Sequence, residues 1–146
     1  MSRTKPAEVS FYVDADVLGL AHVLAQLRSD VTYPGDPGAT IHRRERPPCP
    51  VTTPHTKDTE WIPVVAHNRW IVITRDRHIQ ENRQEVVAVR NSGTRMVALS
   101  AKDARGTFDQ LEIVMIQWRS ILLLLTKPGP FVYTATRTSF RPISLA

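Results

Sequence analysis

The chain lacks the groups that would mark a disulfide-stapled, zinc-bound or membrane-embedded protein. It has one cysteine in 146 residues, which excludes an internal disulfide and any cysteine-cluster zinc site. That residue, Cys49, lies among prolines in Pro47-Pro48-Cys49-Pro50, with no catalytic signature around it. The five histidines, His22, His42, His55, His67 and His78, show no paired metal spacing. Long apolar runs are also missing: the most apolar stretch, 121–125, is far too short to span a bilayer, and Arg119 and Lys127 flank it. The opening Met1-Ser2-Arg3-Thr4-Lys5-Pro6 carries no apolar leader. Together these features lead us to expect a soluble, cytoplasmic protein without membrane contact.

What is present fits a globular domain. Hydrophobic residues make up 42% and charged residues 23%, and the length suits one domain with a single core. A balance of 19 basic to 14 acidic residues gives a formal charge of +5. That is compatible with an anionic partner but does not establish one. Residues 1–146 are expected to form one domain, with 34–57 as a long Pro-rich loop and 137–146 as a tail.

Hydrophobic periodicity orders the rest. Residues 9–13 read as a buried strand and 16–28 as a helix, with Val17, Leu20, Leu24 and Leu27 at steps of three and four. Residues 30–33 suit a short second strand. From 34 to 57 the chain holds six prolines, two glycines and the basic clump Arg43-Arg44-Glu45-Arg46, a composition that predicts no regular element. A helix is expected over 58–68, with Pro63 near its first turn. A strand with apolar residues on both faces follows at 70–74. A helix at 79–90 and a strand at 95–99 come next. Residues 107–126 give the strongest helical pattern, through Phe108, Leu111, Met115, Trp118, Leu122 and Leu125, and Pro128-Gly129-Pro130 stops it. A last strand is expected at 131–136. Strands alternating with helices predict an α/β fold with a mostly parallel sheet covered on both faces.

Two of the strands stop on aspartate. Phe11-Tyr12-Val13-Asp14-Ala15-Asp16 and Ile71-Val72-Ile73-Thr74-Arg75-Asp76 are apolar, β-rich runs with acids at their carboxyl ends. In an open α/β sheet such ends converge on one crevice. Acids gathered there repel one another unless a cation lies between them, so a magnesium-type site is the first expectation. Asp58, opening the 58–68 helix, is a third acid. Asp16 reads either as a further ligand or as the N-cap of the first helix. Glu60 reads either as a further ligand or as a charge favouring the helix dipole.

Asp58-Thr59-Glu60-Trp61-Ile62-Pro63-Val64-Val65-Ala66 followed by Trp70-Ile71-Val72-Ile73-Thr74-Arg75-Asp76-Arg77 resembles the C-terminal half of the PIN-domain signature. There an acid opens a helix, an Ala-rich turn follows, and a hydrophobic strand ends in Thr-Arg-Asp. Phe11-Tyr12-Val13-Asp14 resembles that family's opening strand with its first acid. The resemblance covers roughly residues 9 to 99, and it implies a three-layer α/β/α fold. It also implies a Mg²⁺- or Mn²⁺-dependent nuclease with Asp14, Asp58 and Asp76 as catalytic metal ligands, Asp16 and Glu60 ranking after them. Many bacterial members are VapC-type toxins, so RNA as substrate, a separate antitoxin as partner and a possible homodimer are implied as well. The chain departs from the VapC pattern in lacking a second acid on a helical hairpin. Only Asp36 and Glu45 stand in that region, and His78-Ile79 replaces the usual Asp-Phe.

Basic residues beside the acids, Arg75 and Arg77, and the loop residues Arg43, Arg44 and Arg46 are candidate phosphate contacts. Two other readings stay open. One is a PIN-like module with an incomplete acid set that binds protein or RNA without catalysis. The other is a receiver-like phosphoacceptor domain, which also uses strand-end acids and for which Lys102 would be the basic partner.

Overall fold

A computed structural model describes residues 3–76 and 82–145, with Asp76 described by its backbone alone. In chain order the elements are β1 (Lys5–Pro6), β2 (Phe11–Val13), a 3-10 turn (Ala15–Val17), α1 (Leu18–Leu27), β3 (Val31–Thr32), β4 (Ala39–Ile41), β5 (Arg44–Arg46) and α2 (Asp58–His67). They continue with β6 (Ile71–Asp76), α3 (Arg83–Ser92), β7 (Arg95–Ser100), α4 (Thr107–Ile116), α5 (Trp118–Leu123), a 3-10 turn (Leu124–Thr126), β8 (Phe131–Ala135) and β9 (Phe140–Pro142). None of these helices is long and apolar enough to cross a membrane.

The main sheet runs β3-β2-β6-β7-β8-β9, parallel except for the last pair. Its two faces follow from period-two alternation. Phe11, Val13, Ile71, Ile73, Val97 and Leu99 point into one core with Leu20, Leu24, Ile113 and Ile121 from α1, α4 and α5. Tyr12, Val72, Met96 and Ala98 point into the other, with Trp61 and Val65 of α2 and Val89 of α3. The result is the expected three-layer α/β/α fold. From β2 the chain crosses through α1 to β3 on one side, and β6 then pairs with the other side of β2. The carboxyl ends of β2 and β6 therefore flank the switch point, where an α/β sheet opens a crevice.

The Pro-rich segment departs from expectation, because a three-stranded sheet, β1-β5-β4, forms across it. Its centre is a buried ion pair. Arg46 Nε donates to Asp36 at 2.7 Å, and both side chains are almost fully enclosed. Asp36 also accepts from the Thr32 hydroxyl and the Gly38 N–H, both at 2.9 Å. Arg46 Nη1 donates to the carbonyls of Ala25 and Arg28 at the C-terminal end of α1, where a cation is favoured. The prolines of this segment do not prevent the sheet, since β4 and β5 are three residues each and lie between Pro37 and Pro47.

Three other boundaries differ. Pro63 falls in the second turn of α2, and the helix continues through it. The pattern over 107–126 is broken at Gln117, whose side chain donates to the carbonyls of Thr136 (2.8 Å) and Ser139 (3.2 Å). Its buried residues are Gln110, Ile113, Val114, Ile121 and Leu124, while Phe108 and Met115 of the expected face are exposed. The tail is ordered at Phe140–Pro142, which pairs antiparallel with β8. The helix expected at 79–90 is described from Arg83, and residues 79–81 lie outside the described part.

Candidate active site

β2 ends where the chain enters the first 3-10 turn, and Asp14 caps that turn by accepting from the Ala15 N–H at 2.6 Å. The Asp14 N–H donates to the Ile73 carbonyl at 2.9 Å, which fixes it against β6. The cap role considered for Asp16 thus belongs to Asp14, and Asp16 sits inside the turn. From there its carboxylate reaches β6. The Thr74 hydroxyl lies 3.1 Å from both Asp16 oxygens, and the Arg75 N–H donates to Asp16 at 3.3 Å. The same hydroxyl lies 3.0 Å from Asp14 Oδ2. A hydroxyl has one proton to donate, so two carboxylates compete for one buried donor.

The charge shows in the titration of Asp14, whose carboxyl is pushed up to about 6. Burial is the largest cause and the neighbouring Asp16 charge the next; Asp58 adds to them, while the Ala15 N–H and Thr74 hydroxyl pull the other way. Asp58 belongs to the same electrostatic site although it comes from α2. It is exposed at the first helical position, and Lys57 before it makes no side-chain cap. Trp61 holds it: the indole N–H donates to Asp58 Oδ1 at 2.9 Å. Trp61 in turn stacks on Tyr12 with ring centroids 5.3 Å apart, and Tyr12 stacks on Trp70 at 6.3 Å. This aromatic column seats the start of α2 beside the end of β2. Burial raises the Tyr12 phenol pKa, with the charges of Asp14 and Asp58 adding to it.

The site therefore brings together Asp14 and Asp16, with Asp58 near enough to raise the Asp14 pKa. Glu60 is exposed in the first turn of α2, where its charge favours the helix amino end. The backbone of Asp76 ends β6 in register with Ser100 of β7, two residues beyond Thr74; its side chain and all of Arg77 lie outside the described part. Arg75 is half-buried, with Nη2 donating to the Ala101 carbonyl at 3.1 Å. Arg46 is enclosed with Asp36 and cannot reach RNA, which corrects its reading as a surface contact. Arg43 and Arg44 are exposed, but their hairpin is tied to the C-terminal end of α1, whereas the acids stand at its amino end. Arg44 lines a hollow with Pro6, Glu8 and Ser29 on that far side. Asp36 is buried in its ion pair and Glu45 is exposed on β5, so neither supplies a missing acid. Lys102 is exposed in the turn after β7. Two contributors were not singled out from sequence: Thr74, hidden within a β-branched run, and Trp61, quoted only as part of the 58–68 helix.

The donor set suits a hard divalent cation. Asp14 and Asp16 offer carboxylate oxygens that share the Thr74 hydroxyl, and Mg²⁺ is usually held by one or two carboxylates with water completing its shell. Among the described residues, no three acidic, histidine or cysteine side chains gather closely enough to hold a metal ion by themselves.

Comparison with protein-family models matches residues 9–101, well over half of the chain, to the PIN-like domain. No curated protein and no solved structure shows significant similarity to the chain.

Proposed function

This chain belongs to the PIN-like domain family, whose members are generally nucleases, and on that premise we propose that it is a metal-dependent ribonuclease. The observation that carries the reading is the convergence of Asp14 and Asp16 on the single hydroxyl of Thr74, with the charge of Asp58 felt at Asp14. Asp14 and Asp16, joined by Asp58 and Asp76, would hold Mg²⁺ or Mn²⁺. When bound, such an ion lowers the pKa of a coordinated water and offsets charge on the scissile phosphate. The chain's own residues do the positioning. Thr74 and the Arg75 N–H orient Asp16, Ala15 and Thr74 orient Asp14, and Trp61 orients Asp58. Arg75 and Arg77 lie next to these acids in sequence and would meet the RNA backbone.

Within this reading the protein is the toxin of a type II toxin–antitoxin pair of VapC type, acting in the cytoplasm and inhibited by a separate antitoxin. An antitoxin segment with a basic side chain in the acidic crevice would satisfy the same carboxylates as the metal. A second reading, a PIN-like module that binds RNA or protein without cleaving, is favoured by one observation: the described residues alone do not assemble a three-ligand cluster. RNA cleavage with and without Mg²⁺ separates the two. Cleavage that requires the metal and Asp14 supports the ribonuclease; retained RNA binding without cleavage supports the module.

A further inference from the structure

A cleft of about 440 Å³ opens at the opposite end of the sheet, among the C-terminal ends of α2, α3 and the second 3-10 turn. Arg69, Arg95 and Lys127 line it, and its lining contains no carboxylate. Nor does any described carboxylate form an ion pair with these three. Arg95 opens β7 and Trp70 immediately precedes β6, so this is the amino end of the sheet. Four strand residues lead from Trp70 at this cleft to Thr74 beside Asp14, about 13 Å along β6.

Helix C-termini present carbonyl oxygens and attract cations for that reason alone. Arg95 answers this demand. It donates to the carbonyls of Leu125 (3.1 Å) and Lys127 (3.3 Å), and its other terminal nitrogen donates to the Arg69 carbonyl. Arg69 is not needed for it, because its contribution to that bond is backbone. Its position is otherwise costly. Arg69 has φ +57°, the left-handed conformation that follows many helix ends and is normally given to glycine. The chain does use glycine at the corresponding position after α3, Gly93, with φ +72°. Both residues line the same cleft. α2 thus ends on a bulky cation against local preference, while α3 ends on the unstrained glycine. Burial, and then repulsion from Arg69, lower the pKa of Arg95; the carbonyls answer the Arg95 charge, and the Arg69 side chain has no carboxylate partner among the described residues.

We infer that this cleft binds a phosphate group, held by the exposed Arg69 side chain over the Arg95 guanidinium, with Lys127, whose ammonium donates to the Tyr133 hydroxyl at 2.6 Å, adding charge at the rim. Its volume accommodates a mononucleotide. The phosphate comes either from a free phosphomonoester or from a nucleic-acid backbone, and the inference does not depend on nuclease activity at the far end.

The test uses the full-length protein in EDTA, which prevents metal-dependent cleavage. It is titrated with inorganic phosphate, AMP and a fluorescent single-stranded RNA oligomer, alongside Arg69→Gly and Lys127→Ala. Arg69→Gly removes the cation and relieves the backbone, so its melting temperature should be unchanged or higher. Its affinity for the bound anion should fall about tenfold. Saturable binding of phosphate or AMP, lost in the variants, identifies a phosphomonoester site. Binding of the oligomer alone, weakened in the variants with a salt dependence shallower by about one ion per charge removed, identifies backbone phosphate. Absence of saturable binding by all three probes, or wild-type affinity in both variants, overturns the inference.

Discussion

The carboxylates of Asp14 and Asp16 converge on one donor, with the Thr74 hydroxyl 3.0 Å from the first and 3.1 Å from the second. Burial and the adjacent charge make Asp14 keep its proton up to about pH 6, against an ordinary value of 3.8. Between those values the folded chain binds more protons than the unfolded one, so stability falls as pH rises through that window and stays low above it. Without metal, this group should lower the unfolding free energy by on the order of 2–3 kcal/mol from about pH 4 to about pH 7. Asp14→Asn should flatten that decline and raise metal-free stability at neutral pH. Urea denaturation in EDTA across this range checks both, and an unaltered decline in the variant would exclude the coupling.

Trp61 links the aromatic column to Asp58 through its indole N–H. Trp61→Phe keeps a ring against Tyr12 and removes only the donor. Stability should change by about 1 kcal/mol. The Mn²⁺ midpoint, followed as thermal stabilisation, should rise roughly tenfold or more. An unshifted midpoint would leave Trp61 a packing residue only.

The Asp36–Arg46 pair holds the Pro-rich segment onto α1. Arg46→Ala leaves a buried carboxylate without its partner and should cost about 3–5 kcal/mol. Arg44→Ala, at an exposed position of the same strand, should stay within about 0.5 kcal/mol. Chemical denaturation of both variants distinguishes a folded segment from a dispensable loop.

Phe108 and Met115 are 79% and 67% exposed, and Leu27 of α1 is also exposed. Soluble monomers rarely leave such patches uncovered. The purified chain should self-associate in sedimentation velocity at micromolar concentration, and Met115→Lys should shift it toward monomer. A wild-type chain that stays monomeric throughout would assign this face to another partner or to solvent.

Five strands of the main sheet were legible because they are short apolar runs set between helical patterns; β9 was not, since Phe140–Pro142 lies in what read as a tail. The switch-point crevice followed, since Asp14 and Asp76 end two of those runs. What stayed hidden depends on partners distant in sequence. Arg46 read as a phosphate contact on a loop and Asp36 as an acid outside any helix, whereas the two are buried together behind a small sheet that 34–57 forms with β1. Gln117 looked like an ordinary helical residue until Thr136 and Ser139 drew its side chain and broke the helix. Thr74 was equally obscure, because a threonine in a β-branched run has a packing reason to be there. Its role appears only when Asp14 and Asp16 are seen on either side of its hydroxyl.

The ribonuclease reading is tested most directly by incubating the purified protein with a mixed-sequence single-stranded RNA in Mg²⁺, in Mn²⁺ and in EDTA, beside Asp14→Asn and Asp76→Asn. The account predicts cleavage by the wild type in either metal, none in EDTA, and a loss of at least about a hundredfold in each variant. Cleavage that persists in EDTA or in both variants would contradict it. So would intact RNA in every reaction while the variants bind that RNA as the wild type does.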